Sequence, residues 1–258
     1  MTKIISISNQ KGGVGKTTTA MNIGAALQVK GRKVLLIDLD PQANLSSYLG
    51  YEGGEKPVIT DLMMSVVSNQ AIDFSQAIHH SESNKLDYVP SNISLSGADL
   101  FLLQAISRET VLKRVLKNQA FSSYEYIIID CLPSLGVLLM NALTASDGLI
   151  IPVQTQKFSL DGLDLLLNVF NQIKATLNPA LEIMGVLATM ADNTNMSRAV
   201  IDALVAQFGD LVFENSISKS VEATNSTYAR QALVFKSTKL GKEYLSVADE
   251  ILKKERVK

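Results

Sequence analysis

The chain has 258 residues, of which 47% are hydrophobic and 19% are charged, and this composition is typical of a soluble globular protein with a sizeable core. Because 24 Lys and Arg residues balance 25 Asp and Glu residues, any binding to nucleic acid must come from a local patch rather than from bulk charge. The single cysteine, Cys131, excludes an internal disulfide. No apolar stretch approaches the ~20 residues that span a bilayer. Residues 1–10 also lack the long apolar segment of a signal peptide, so we expect a cytoplasmic protein.

Short apolar runs alternate with amphipathic stretches along the chain, which is the pattern of an α/β sheet whose strands and helices cross over repeatedly. Most runs are too apolar to have a solvated face, and this favours a mostly parallel sheet with helices on both faces. We therefore predict a single wound domain over residues 1–258. The predicted strands are residues 4–8, 34–38, 86–89, 126–130, 149–153 and 183–189.

Apolar residues recur at helical spacing between the predicted strands, and we interpret them as core rather than as a cofactor site. The first helix is predicted over residues 19–29, and residues 163–177 and 201–208 carry the same spacing. Near the end of the chain an apolar stripe contains Tyr244, Val247, Ala248 and Ile251. Acids interrupt the polar face of this last helix, so we expect it to pack on the domain rather than on a membrane.

Residues 51–96 form the least regular stretch, with glycines, a proline and a cluster of Ser and Asn. We interpret this stretch as a surface excursion within the domain. It contains the adjacent His79 and His80, which could indicate a metal site. Because no third ligand stands nearby in the sequence, both are interpreted as solvated loop side chains without a functional role.

The strongest motif is Gln10-Lys11-Gly12-Gly13-Val14-Gly15-Lys16-Thr17-Thr18, which stands directly after the first predicted strand and before the first predicted helix. Glycines let successive backbone N–H groups turn toward an anion, and the amino terminus of the following helix adds its positive dipole. Lys16 can reach the β- and γ-phosphates of a nucleotide, and the Thr17 hydroxyl can ligate Mg²⁺. The loop therefore predicts a P-loop nucleoside triphosphatase.

An additional lysine, Lys11, distinguishes this loop from the common G-x-x-x-x-G-K-[ST] form. The segment resembles the deviant Walker A loop of the ParA/MinD ATPases, in which this early lysine is the signature residue. The resemblance implies that Lys11 reaches across a two-fold interface to the phosphates of the partner's ATP, so that ATP holds a homodimer together. A lysine there supplies charge where a GTPase would use an arginine finger. The resemblance assigns nucleotide contacts to Lys11, Gly12, Gly13, Val14, Gly15, Lys16, Thr17 and Thr18.

Two predicted strands end in acids, and ligands bind at the carboxyl ends of strands in wound sheets. Asp38 and Asp40 lie on the same side of one strand, and Pro41 then stops it. The match to the family's D-x-D-P-Q segment implies that Asp40 orients or activates the attacking water while Asp38 supports the Mg²⁺ shell. Asp130 ends another apolar strand, which looks like a Walker B element whose carboxylate holds Mg²⁺ through water. The catalytic residues implied by the resemblance are Asp40, Lys11 and Lys16.

The resemblance covers nearly the whole chain and thins beyond about residue 190. The family usually continues its Walker B strand as Asp-Cys-Pro-Pro, whereas Leu132 replaces the first proline in this chain. Cys131 belongs to the family pattern and is expected to be a small buried side chain. Where the family has an Ile-Pro-Arg-Asn-like segment that contacts adenine, this chain has residues 217–220, Ile-Ser-Lys-Ser. Ser218 and Ser220 are therefore the candidates for contacts to the base.

The fold alone does not determine whether such an ATPase binds DNA, a membrane or another cargo. ParA/Soj-type ATPases bind DNA non-specifically as ATP dimers, whereas MinD-type relatives bind membranes through a terminal amphipathic helix. Residues 217–258 contain nine Lys or Arg and five acids, a local excess of four positive charges. Such a patch is suited to phosphate contacts that are independent of base sequence and sensitive to salt. The candidate DNA contacts are Lys219, Arg230, Lys236, Lys239 and Lys242.

The sequence thus predicts a partition ATPase of the Soj type, associated with the nucleoid. ATP and Mg²⁺ drive dimerisation, the dimer binds DNA, and slow hydrolysis, stimulated by a ParB-like centromere-binding protein, releases it. The alternative is a MinD-like membrane-recruited ATPase or a positioning factor for a non-DNA cargo. Nitrogenase-like reductase chemistry is excluded, because one cysteine per subunit is too few for its shared cluster.

Overall fold

A mostly parallel sheet forms the centre of the computed structural model, which describes residues 2–156 and 162–256. Its strands are β1 (Lys3–Ile7), β2 (Val34–Leu39), β3 (His79–Ser81), β4 (Leu86–Val89), β5 (Tyr126–Cys131), β6 (Gly148–Gln154) and β7 (Glu182–Thr189). Their order across the sheet is β3-β4-β2-β5-β1-β6-β7, and only the β3–β4 pair is antiparallel. All six predicted strands are confirmed, with ends that differ by one residue at most. Strand β3 was not predicted.

Helices cover both faces of the sheet, as predicted, and this explains why the strands are apolar throughout. In β2, Leu35 and Ile37 belong to one hydrophobic core, whereas Leu36 belongs to a second core on the opposite face. The helices are α1 (Lys16–Val29), α2 (Asn44–Tyr48), α3 (Ile59–Ser68), α4 (Ala98–Leu102), α5 (Val111–Leu116), α6 (Val137–Ala145), α7 (Leu163–Thr176), α8 (Asn195–Phe208), α9 (Glu222–Tyr228) and α10 (Lys239–Arg256).

The helical periodicities mark core positions in α7, α8 and α10. Leu163, Leu166, Phe170 and Ile173 of α7 are buried, whereas Leu177 lies beyond the end of that helix and is partly exposed. Leu204 of α8 is buried, but its neighbour Val205 faces outward. The stripe of α10 packs against α1 as predicted, and its buried members are Tyr244, Val247, Ala248 and Ile251. None of the helices in the described part of the chain is long and apolar enough to cross a membrane.

The interpretation of residues 51–96 as a surface excursion is wrong, because this stretch contributes a core helix and two strands at one edge of the sheet. Ile59, Leu62 and Met63 of α3 are fully buried and cover one face of the sheet. Strand β4 pairs with β2 in parallel. Apolar residues at helical spacing were present in α3, but the turn residues on either side concealed them.

The two histidines lie on β3 rather than in a loop. His79 packs between the rings of Tyr51 and Tyr88, with ring centroids 5.3 and 5.5 Å away, and burial lowers its pKa. His80 Nδ1 lies 2.7 Å from a carboxylate oxygen of Asp87 on the paired strand. The expectation of a solvated side chain is therefore wrong for His79, because strand pairing places it between two aromatic rings.

Candidate functional site

The glycine-rich loop lies between β1 and α1 at the carboxyl edge of the sheet. Gly13 and Gly15 have φ angles of +74° and +87°, a left-handed conformation that residues with a Cβ rarely adopt. Helix α1 then begins at Lys16, so the free N–H groups of its first turn follow the loop directly. This combination of turned backbone and helix amino terminus is the arrangement that binds phosphate groups in proteins.

Two buried side chains, from β7 and from the start of the loop, fix the loop to the sheet. The Asn9 amide donates to the Pro152 carbonyl at 2.8 Å, and its oxygen accepts from the Lys11 N–H at 2.9 Å. The Thr189 hydroxyl donates to the Val14 carbonyl at 2.9 Å. Sequence reasoning missed both anchors. The signal for Thr189 was available, since it is a polar residue at the carboxyl end of a predicted strand.

The side chain of Lys16 is buried within the loop and contacts the backbone of Lys11. Lys16 is only 8% exposed, and its ammonium donates to the Lys11 carbonyl at 3.1 Å. Burial lowers the pKa of Lys16, whereas the charges of Asp130 and Asp40 oppose this change. The Lys11 residue is half-buried beside it. The structure therefore places the Lys16 ammonium against the Lys11 backbone, close to the carboxylates of Asp130 and Asp40.

Asp130 lies near the end of β5, with its carboxylate buried at the carboxyl edge of the sheet. Parallel pairing places it beside Asp38 of β2 on one side and beside Ile7, the last residue of β1, on the other. Within residues 2–156 and 162–256, neither buried carboxylate oxygen accepts a hydrogen bond of ordinary geometry, although the Thr17 side chain lies close enough to lower the pKa. Burial and the charge of Asp38 raise the pKa of Asp130 well above its ordinary value, and Thr17 and Lys16 oppose them. An uncompensated acid beside a threonine hydroxyl fits a divalent cation, which would neutralise it.

Asp38 holds the chain segment that carries Asp40. The Ser46 N–H and hydroxyl donate to one Asp38 oxygen at 2.8 and 2.6 Å, and the Asp40 N–H donates to the other at 3.1 Å. Burial raises the pKa of Asp38 to about 6, although these hydrogen bonds oppose it. Asp40 accepts from the Gln42 N–H at 2.9 Å and is 9% exposed. Sequence reasoning missed Ser46, because its separation from Asp38 follows no helix or strand period.

A cleft of 720 Å³ opens beside the phosphate loop, a size in the range of nucleotide and other ligand sites. The Ser218 N–H and hydroxyl donate to the Glu243 carboxylate at 2.8 and 2.6 Å, and the Ser220 hydroxyl accepts from the Glu222 N–H at 3.1 Å. The structure thus brings both predicted base-contacting serines to the cleft. Its walls include Gly15, Thr18, Thr189, Met190, Ser218, Ser220 and Tyr244.

The five candidate DNA contacts differ in how they are engaged. Arg230 forms an ion pair with Glu52 at 2.8 Å, and Lys239 lies 3.7 Å from Glu243. Lys219 is exposed at the rim of the cleft. Among the remaining two, Lys242 is exposed and Lys236 is half-buried. We name these five side chains the basic surface. Glu243 contacts both Lys239 and Ser218, so part of the basic surface lies beside the cleft.

Cys131 is 1% exposed, as predicted for a small buried side chain, and burial raises the pKa of its thiol.

Another cavity, of 380 Å³, is lined by Lys3 and Lys254. Because Lys3 is the first residue of β1, this cavity lies at the amino edge of the sheet. The phosphate loop follows the carboxyl end of β1, so this second cavity is not part of the site.

The mostly parallel sheet, the glycine loop before α1 and the acids on adjacent strand ends define a P-loop nucleoside triphosphatase. A family model described as an AAA domain matches residues 2–183. The chain is 42% identical over 254 residues to the sporulation initiation inhibitor protein Soj of Bacillus subtilis, covering 97% of this chain and 98% of Soj. It belongs to the ParA/Soj family of partition ATPases.

Solved structures share this fold. The cobyrinic acid a,c-diamide synthase of Mycobacterium smegmatis, solved with bound ADP and magnesium, is 34% identical with a TM-score of 0.85, and the match covers 99% of this chain and 96% of that one. A putative plasmid partition protein of Borrelia burgdorferi bound to AMPPNP is 28% identical with a TM-score of 0.81, covering 98% of this chain and 100% of that one.

Proposed function

We propose that this protein is a DNA-partitioning ATPase that dimerises on ATP, binds DNA non-specifically as the dimer and leaves it on hydrolysis. The observation that carries the proposal is the phosphate loop, in which the buried Lys16 ammonium contacts the Lys11 carbonyl and interacts with the charge of the buried Asp130 carboxylate. Lys16 and Asp130 suit a bound triphosphate, and Lys11 is the residue through which a second subunit would contact it. A ParB-like centromere-binding protein stimulates the slow reaction, as in the family that this chain resembles.

ATP and Mg²⁺ are the proposed cofactors, and relatives solved with ADP, magnesium or AMPPNP support them. The backbone of residues 12–18 binds the phosphates, and Lys16 neutralises part of their charge. Thr17 and Asp130 hold the metal, and Asp38 supports its shell from the neighbouring strand. When bound, Mg²⁺ neutralises charge on the phosphate oxygens during phosphoryl transfer.

Asp40 is the proposed group that positions the attacking water. The Asp40 backbone N–H donates a hydrogen bond to Asp38, and this contact fixes the backbone that carries the Asp40 carboxylate. Lys11 of one subunit contacts the phosphates of the other subunit's ATP and contributes charge to the transition state. Ser218 and Ser220 contact the base, and for Ser218 this requires that its hydroxyl exchange Glu243 for the ligand.

The basic surface carries the proposed DNA contacts, and it would keep the ATP-bound protein on the nucleoid. Lys219, at the rim of the cleft, links the nucleotide site to this surface. Dimerisation doubles the number of phosphate contacts and so raises avidity, which links DNA affinity to the ATP state. The remaining contacts are Arg230, Lys236, Lys239 and Lys242.

Three variants test the catalytic part of this proposal. Lys16→Ala should abolish nucleotide binding, measured with a fluorescent ATP analogue. Asp40→Ala should retain ATP and DNA but hydrolyse at least about 100-fold more slowly, the effect expected for loss of a group that positions water. Asp202→Ala, at an exposed acid on α8, is the matched control and should behave as the parent. Hydrolysis by Asp40→Ala at the parental rate would show that Asp40 has no catalytic role.

A sedimentation experiment tests the cargo. The protein is spun with random-sequence DNA or with anionic liposomes, each in ATP and in ADP. We expect it to sediment with DNA in ATP only, and to lose DNA between about 50 and 200 mM salt because phosphate contacts release counterions. Sedimentation with liposomes but not with DNA would instead support the MinD-like alternative.

A further inference from the structure

The segment between β4 and α5 exposes four large apolar side chains. We name them the apolar patch: Ile93 is 70% exposed, Leu100 73%, Leu103 64% and Ile106 89%. Their exposed surfaces add up to roughly 500 Å², an area comparable to the largest apolar patches on monomers. Scattered apolar residues need no explanation, but four within one short segment indicate an interaction surface.

The apolar patch is held on a rigid base. Leu95, Ala98 and Leu102 from the same segment are buried in the core, and α4 packs against α3 and α6. On the far side of the segment, Asn141 of α6 donates to the Arg108 carbonyl at 2.8 Å. The exposed residues therefore alternate with anchored ones, and their outward orientation follows from how the segment packs.

The segment leaves the sheet at the same edge as the phosphate loop. The last residue of β4, Val89, pairs with Ile37 of β2, one residue before Asp38. The Ser91 N–H then donates to the Ser46 hydroxyl at 2.9 Å, and Ser46 in turn donates to Asp38. A direct line of hydrogen bonds thus joins the acid beside the proposed metal site to the start of the segment that carries the apolar patch.

We propose that a second copy of this chain covers the apolar patch, which serves as the apolar anchor of the ATP-bound dimer. This inference rests on the proposed function. A specific interface buries about 800 Å² on each partner. Lys11 and the exposed Gly12 and Gly13 offer little surface and almost none of it apolar. An interface through the phosphate loop needs a further apolar region on the same edge, and the apolar patch provides it.

This arrangement has the anatomy of a stable interface, with an apolar part next to a polar, charged part. In a two-fold dimer the same surface is used by both subunits, so each substitution acts twice. Hydrogen bonds from Asp38 through Ser46 to Ser91 connect the nucleotide site to the segment that carries the apolar patch. The ends of β2 and β4 therefore position both parts of the interface.

Charged substitutions on the apolar patch test the inference by sedimentation velocity. The variants are Leu103→Glu and Ile106→Glu, and the control is Val205→Glu, at a 49% exposed position on the outer face of α8. With AMPPNP and Mg²⁺ we expect the wild type and the control to dimerise. Each patch variant should raise the dimer dissociation constant at least about tenfold. Binding of a fluorescent ATP analogue to the monomer should be unchanged, and thermal unfolding shows that each variant is folded.

The milder variants Leu103→Ser and Ile106→Ser replace any glutamate variant that does not fold. If patch variants dimerise as the wild type does, a second copy does not cover the apolar patch and the inference is overturned, while the ATP-dependent dimer stands. Binding of a partner protein or of vesicles at the patch would then identify the occupant. If the wild type stays monomeric in saturating AMPPNP, the proposed ATP-dependent dimer fails as well.

Discussion

Replacing Asp130 by Asn should stabilise the nucleotide-free protein while impairing its response to ATP and Mg²⁺. The Asp130 carboxylate is fully buried, lacks an ordinary hydrogen bond from the part of the chain that the structure describes and lies beside Asp38, so its charge is disfavoured in the native state. A buried polar group without a partner costs about 1–3 kcal/mol, and more when it is charged. Asparagine keeps the shape and remains a buried polar group but removes the charge, so we expect the free energy of unfolding at neutral pH to rise by about 1 kcal/mol, the order of the extra cost of a charged over a neutral group.

The stabilisation by Asp130→Asn should increase with pH. Because the native pKa of Asp130 is raised, the folded protein holds this proton more tightly than the unfolded chain does. Its contribution to stability is therefore complete below the ordinary pKa of 3.8 and is lost as the pH rises through the raised native value. The difference in free energy of unfolding between Asp130→Asn and the parent should thus be small at low pH and should grow toward neutral pH.

Urea unfolding without nucleotide measures this difference, with Asp202→Asn as the control at an exposed acid. Saturating ATP and Mg²⁺ should stabilise the parent by about 2.7 kcal/mol at a ligand concentration 100 times the dissociation constant, and the variant by less. An Asp130→Asn protein that is less stable than the parent at neutral pH without nucleotide would refute the reasoning about an uncompensated charge.

Two further predictions concern the loop and the acids. Thr189→Val keeps the side-chain shape but leaves the Val14 carbonyl without its donor, so the nucleotide dissociation constant should rise about tenfold with kcat preserved at saturating ATP. An unchanged dissociation constant would show that this hydrogen bond does not position the loop. Burial raises the pKa of Asp38 from 3.8 to about 6, which corresponds to about 3 kcal/mol. Stability of the nucleotide-free parent should therefore fall as the pH rises from about 4 to about 6 in urea titrations, and a rise over that window would contradict the assignment.

The strands and the phosphate loop were predictable because each has a local signature. A parallel strand buried on both faces is apolar throughout, so β5 and β6 stand out in the sequence. The loop needs glycine where φ is positive, as at Gly13 and Gly15, and such positions admit few other residues. Asp130 was found for a similar reason, since an acid directly after an apolar run marks a strand end.

Contacts between distant segments left no such signature. The Ser46 hydroxyl joins Asp38 to the backbone of Ser91, which no helix or strand period relates. His79 and Tyr88 meet because β3 and β4 pair, and β3 is only three residues long. The exposed apolar patch was also hidden, because its residues alternate with buried ones of the same chemical type.

A structure of the protein with bound ATP and Mg²⁺, in the slowly hydrolysing Asp40→Ala form, tests the central claim most directly. We predict two subunits related by a two-fold axis, with the Lys11 ammonium of each within hydrogen-bond distance of a phosphate oxygen of the other's ATP. A single subunit with ATP bound and Lys11 directed into solvent, at saturating Mg²⁺, would contradict the claim.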